Sequence, residues 1–143
     1  MDNPLIAPPK WWRDAIFTSA NAAAITETNV ETLKSWQRGA HTPLGVLVGN
    51  RRFYSFHELY QLSIVGILHS YGMSSPKFSY SVARKISHAG EVPRPPRYDE
   101  VANISDDGLC DENTPAGASY VEIKVDEVWR ELISRATPLV LYS

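Results

Sequence analysis

Residues 30–62 read VETLKSWQRGAHTPLGVLVGNRRFYSFHELYQL, and the pattern changes twice along them. In 30–38, Val30, Leu33 and Trp36 or Gln37 recur at spacings of three and four, the one-sided repeat of a short helix. Glu31, Thr32, Lys34, Ser35 and Arg38 fall on its other side. Gly39 then reads as a glycine just past the helix end. Val46-Leu47-Val48, Gly49-Asn50 and Arg51-Arg52-Phe53-Tyr54 read as strand, turn, strand. Ser55-Phe56-His57-Glu58 is a capping box opening a strongly apolar helix, in which Phe56, Leu59, Leu62, Ile64, Val65, Ile67 and Leu68 should form the core.

Upstream, Phe17-Thr18-Ser19 opens another helix, with Thr18 or Ser19 able to accept its free N–H groups. Ala20, Ala22, Ala23 and Ala24 are strong helix formers whose small side chains let a second helix cross closely. Thr26-Glu27-Thr28-Asn29 reads as a turn, and Thr28 or Asn29 can cap the helix after it. Two short helices joined in this way make a helix-turn-helix. Met1–Lys10, with three prolines, is expected to be an extended arm. Trp11 and Trp12 should cap the core, with contact to a partner or DNA as the alternative.

The hydrogen-bonding side chains of the second helix suit base edges and phosphates. Arg51 and Arg52 stand at a hairpin tip whose next acidic residue is Glu58, so phosphate oxygens would satisfy them. Tyr54 can add a hydroxyl contact or pack on the following helix. The candidate DNA contacts are therefore Thr28, Asn29, Thr32, Lys34, Ser35 and Arg38 from the helix-turn-helix, and Arg51, Arg52 and Tyr54 from the hairpin.

The charge distribution agrees. Residues 1–90 carry nine Lys/Arg against five Asp/Glu, and residues 91–143 carry five against eleven. A basic first part permits polyanion binding even though the net charge is −2. The single Cys110 permits no internal disulfide and suggests a reducing, cytoplasmic setting. No run approaches a membrane span, and no basic segment followed by an apolar one marks a secretory signal at the N-terminus.

The order FTSANAAAITETNVETLKSWQRG (17–39), GNRRFYSFHELYQLSIVGILHSYGMS (49–74) and VARKI (82–86) resembles the DNA-binding domain of the MerR family of transcription regulators. The matching residues are Thr32-Leu33-Lys34 and Trp36 in the recognition helix, Arg52-Phe53-Tyr54-Ser55 in the wing, and Tyr71-Gly72-Met73-Ser74 closing the third helix. The likeness covers about 70 of 143 residues. It implies a mainly α fold with a small β wing, a winged helix-turn-helix. It also implies a dimeric, sequence-specific regulator of double-stranded DNA. The chain departs from the family in having Lys34 where arginine is usual, and it lacks the long dimerising coiled coil and the metal-sensing cysteines.

The expected division is a DNA-binding domain at 15–90, a Pro-rich and acidic linker at 91–118, and a strand-helix element at 119–143. Ser119–Val125 alternates as a strand does, and Asp126 should cap a helix bearing Val128, Trp129, Leu132 and Ile133. A strand and a helix alone cannot bury their apolar face. Val121, Ile123, Val125, Val128, Trp129 and Leu132 are thus expected to pair two chains, with docking onto the chain's own first domain as the alternative.

Catalysis is not expected. His41, His57, His69 and His88 lack ligand spacing, Cys110 lies in an acidic segment, and no glycine-rich phosphate loop occurs, so neither a metal nor a cofactor is implied. Two further readings remain: an excisionase-like factor that bends DNA, and a protein-interaction module working through the acidic C-terminal half.

Overall fold

A computed structural model describes residues 3–73, 75–111 and 120–141, the side chain of Leu141 aside. Residues 1–2, Ser74, residues 112–119 and residues 142–143 lie outside that description, and with them the last part of the expected linker, 112–118, and Ser119 of the expected strand. The described chain is a mixed α/β structure of five helices and two small antiparallel sheets.

Phe17–Thr18 forms β1 and leads directly into α1, Ser19–Thr26. Thr18 caps α1 reciprocally with Asn21: its Oγ1 accepts from the Asn21 N–H at 3.1 Å, and Asn21 Oδ1 accepts from the Thr18 N–H at 3.2 Å. α2 spans Val30–Gly39, capped by Asn29, whose Oδ1 accepts from the Thr32 N–H at 2.8 Å. Gly39 is the last residue of α2 rather than the residue beyond it. Its lack of a side chain matters for packing, because a Cβ there would stand 2.8 Å from Pro76 Cγ.

Strands β2, Val46–Val48, and β3, Arg51–Tyr54, pair antiparallel with Val48 opposite Arg51. The bend is the expected Gly49-Asn50, with Gly49 at φ +63° supplying the left-handed first position of a two-residue hairpin. β1 adds a third strand, Phe17 opposite Tyr54, giving the order β1-β3-β2. That pairing was not legible in the sequence, since two residues carry no periodicity. Helix α3, Phe56–Ser70, starts at the Ser55 and Glu58 capping box. Helix α4, Pro76–Ile86, carries Pro76 in its first turn and is capped by Ser75.

The expected linker is partly structured. Val101–Ser105 (β4) and Gly108–Leu109 (β5) form a hairpin, and Val121–Lys124 (β6) pairs with β4, Val101 opposite Lys124 and Ile104 opposite Val121. Ala102 and Ile104 point inward at 7% and 0% exposure, an alternation hidden in the sequence by the acidic residues around it. The N-terminal arm is not free either. Leu5 bridges Arg97, the Ile6 N–H donates to Pro96 O at 2.8 Å, and the Tyr98 N–H donates to Pro4 O at 3.1 Å.

Helix α5, Val125–Leu141, starts before Asp126, which lies in its first turn rather than at the cap, and the helix passes through Pro138. Its indole Trp129, fully buried, meets Phe56 at 4.7 Å, Tyr60 at 5.1 Å and Trp12 at 6.0 Å, in edge-to-face geometry. Trp11 packs on Phe17 and Phe56, so both N-terminal tryptophans take the core-capping place. One hydrophobic cluster thus runs from Ile6 to Ala136, across the boundaries expected near 90 and 118. The side chains expected to pair two chains are instead covered by this chain: Ile123, Val125, Trp129 and Leu132 are at most 3% exposed, and Val121 and Val128 are half-buried. The strand-helix element finds its missing apolar partner in α3, so a second chain is not needed to bury this face.

Candidate functional site

The turn between α1 and α2 is short, and Glu27 takes a left-handed backbone conformation there, φ +54°. Such a conformation is unfavourable for a residue other than glycine unless its surroundings hold it. The hold comes from both ends. The Thr28 N–H donates to Ala23 O at 2.8 Å, and Arg135 of α5 ion-pairs with the Glu27 carboxylate at 2.6 Å. Arg135 Nη1 also donates to Ile25 O at 2.7 Å, so α5 closes off the C-terminal end of α1.

Across that turn, α2 sorts its side chains as the repeat requires. Leu33, Trp36 and Gln37 are buried, while Glu31, Lys34, Ser35 and Arg38 are exposed. Trp36 packs so closely on α3 that a Cβ at Gly66 would lie 3.3 Å from its ring. Thr28 and Thr32 are half-exposed, and Asn29 is exposed although its oxygen is engaged as the cap. Lys34 lies 3.7 Å from Glu31, both solvent-exposed, a pairing that contributes little and leaves the ammonium available.

The hairpin is fixed to α2 by Gln37. Its Nε2 donates to Leu44 O at 2.7 Å, and its Oε1 accepts from the Leu44 N–H at 3.1 Å and from Tyr80 O–H at 2.7 Å. Gln37 thus positions the hairpin relative to the helix, a role the sequence reading missed. The available signal was a long polar side chain at a buried position of the repeat. Glu58 adds a second tie, accepting from the Gly45 N–H at 2.5 Å while completing the α3 capping box.

The three expected hairpin contacts separate. Arg51 is exposed, its guanidinium over the Phe53 ring at 5.4 Å. Arg52 turns inward, donating to Leu44 O at 2.8 Å and Gly45 O at 3.4 Å, and so braces the loop entering β2. Its Nη1 is thereby engaged by the chain's own carbonyls. Tyr54 is 3% exposed with its hydroxyl 3.4 Å from Gln37 Nε2, and burial raises its pKa. It takes the packing alternative, and a surface ligand cannot reach it. The hairpin tip is apolar as well as basic, with Val46, Leu47 and Val48 exposed at 53%, 59% and 62%.

The surface that remains brings together Asn29, Thr32, Lys34, Ser35 and Arg38 along one side of α2, with Arg51 on the adjoining hairpin. Among the described residues, no three of His, Cys, Asp and Glu converge as a metal site, and no helix is long and apolar enough to cross a membrane. The chain matches no protein-family model, and no curated protein is significantly similar to it.

Proposed function

We propose that this chain is a non-catalytic, cytoplasmic protein that binds double-stranded DNA sequence-specifically, as a winged helix-turn-helix regulator of transcription resembling the MerR family. In this reading α1 and α2 are the helix-turn-helix, α2 enters the major groove, and the β2–β3 hairpin is the wing on the phosphate backbone. The observation that carries it is the fixed relation of α2 to the hairpin. Gln37 ties Leu44 to the helix on the buried side, while Thr32, Lys34, Ser35 and Arg38 stay on the outer side. Thr28 and Asn29 would stand at the phosphates by the α2 N-terminus, where backbone N–H groups favour an anion. Arg51 alone would make the wing's charged contact. Pairing of two chains through the C-terminal element loses its basis, because those side chains lie in the chain's own core.

Binding of the wild type and of Arg51→Ala to genomic duplex fragments over a salt series tests the reading. A specific fragment should be preferred over random duplex, and Arg51→Ala should bind more weakly with a shallower salt slope. Equal affinity for specific and random duplex at moderate salt overturns the regulator reading. The exposed Val46-Leu47-Val48 edge favours a second reading, a protein-interaction module, because an apolar edge strand is a template for strand addition. A stoichiometric partner recovered without DNA, and lost when Leu47 becomes Lys, would support it.

A further inference from the structure

A recess of about 420 Å³ opens between the loop before β2, α3 and α4. This is within the range of roughly 300–1,000 Å³ found for small-molecule sites. Its inner wall is apolar and well buried, formed by Val65 and Ala83, each 1% exposed, with half-buried Leu44 closing one side. Gln61, 3% exposed and with its Nε2 3.4 Å from His57 Nδ1, also lines the recess. The exposed residues around it include His41, Lys77 and Arg84. No carboxylate lines the recess, and among the described residues neither Lys77 nor Arg84 forms an ion pair.

Such a recess combines an apolar interior with uncompensated positive charge at its mouth. A DNA backbone could meet the mouth but has nothing to place against Val65 and Ala83. Inorganic phosphate has the same deficiency. A neutral apolar molecule would fill the interior and leave the two cations unanswered. We propose that the recess binds a small organic oxyanion, with an apolar body of about one substituted aromatic ring and a single phosphate or carboxylate headgroup held by Lys77 and Arg84. The occupant would touch Leu44 and Tyr80, both hydrogen-bonded to Gln37 of α2. Its presence would therefore be felt at the joint between helix and hairpin. The site stands on its own lining and does not depend on the DNA-binding reading.

The test is a ¹H–¹⁵N NMR titration of the full chain with phenyl phosphate and with 3-phenylpropionate, using phenol and inorganic phosphate as the two half-ligands. At least one of the two organic anions should give saturable shifts at Thr42, Leu44, Lys77 and Ser81 and at the Gln37 side-chain amide. Each half-ligand should bind about tenfold or more weakly. The Lys77→Gln/Arg84→Gln double variant changes only exposed side chains, and it should lose about tenfold in anion affinity while its weak phenol binding stays the same. The comparison between organic anions and half-ligands needs only the wild type, so it decides even if the variant folds poorly. Three results overturn the proposal: inorganic phosphate binding as tightly as the organic anions, shifts as large at Lys34, Arg38 and Arg51 as at the recess, or no saturable shift with either anion. A double variant that weakens duplex binding but leaves anion binding unchanged also overturns it, because the cations would then serve DNA.

Discussion

Arg135, near the end of the chain, holds Glu27 in the turn between α1 and α2 by an ion pair of 2.6 Å. The same guanidinium meets Glu131 at 2.7 Å and donates to Ile25 O at 2.7 Å. One side chain therefore joins the last helix to a left-handed residue that sets the angle between the first two. Arg135→Met keeps much of the alkyl stem and removes the three contacts. It should lower stability by about 1–2 kcal/mol, a figure limited by the solvent that reaches the pair. Urea unfolding of Arg135→Met, Glu27→Gln and the double variant checks this. A coupling below about 0.3 kcal/mol would mean the pair does not hold the turn.

Adjacent arginines in the hairpin should behave oppositely. Arg51 is exposed on the Phe53 ring, while Arg52 caps the Leu44 and Gly45 carbonyls. Arg51→Ala should leave the unfolding free energy within about 0.5 kcal/mol of wild type and reduce the salt slope of duplex binding by about 1. Arg52→Ala should cost about 1 kcal/mol, because it removes the hydrogen bonds that brace the half-buried Leu44 and Gly45 carbonyls, although Leu44 O keeps its Gln37 donor. If the stability loss falls on Arg51 instead, the assignment of the two side chains is reversed.

Legibility in the sequence followed the range of the interaction. Caps at Thr18, Asn29 and Ser55, the Gly49-Asn50 bend and the apolar face of α3 are set by neighbours a few residues away, and all could be read. Contacts that close long loops could not. Phe17 opposite Tyr54, Leu5 opposite Arg97 and Trp129 on Phe56 depend on chain segments that meet only in the fold. The candidate surface divided along the same line. Lys34, Ser35 and Arg38 are exposed because the helical repeat puts them there. Arg52 and Tyr54 turned inward because carbonyls and Gln37, distant in sequence, lay in reach.

Trp129 tests whether the C-terminal helix is part of one core. It is fully buried among Trp12, Phe56 and Tyr60. Trp129→Ala should cost about 3–5 kcal/mol, and the loss should reach α3. Hydrogen exchange should then speed up at Leu59, Tyr60 and Leu62 as well as in α5. Normal protection of those α3 amides in the variant would show two independent units.

His57 makes stability depend on pH in a direction the geometry fixes. It is 5% exposed, with Nε2 donating to Ser87 O at 2.9 Å and Trp12 edge-on at 5.3 Å. Burial lowers its pKa from the ordinary histidine value, outweighing the hydrogen bond to Ser87, which acts the other way. The folded state therefore keeps the ring neutral, and the unfolded chain takes up its proton near pH 6.5. Above that pH both states are neutral and His57 makes no pH-dependent contribution. As pH falls below about 6.5 the unfolded state binds more protons, and stability declines by up to about 1.4 kcal/mol per pH unit until the folded pKa is reached. His57→Gln retains a donor for Ser87 O but does not titrate. Urea unfolding at about pH 7.5 and 5.5 should show wild type losing more stability than the variant on acidification. An equal loss in both proteins would mean the imidazole is protonated as readily in the fold as outside it.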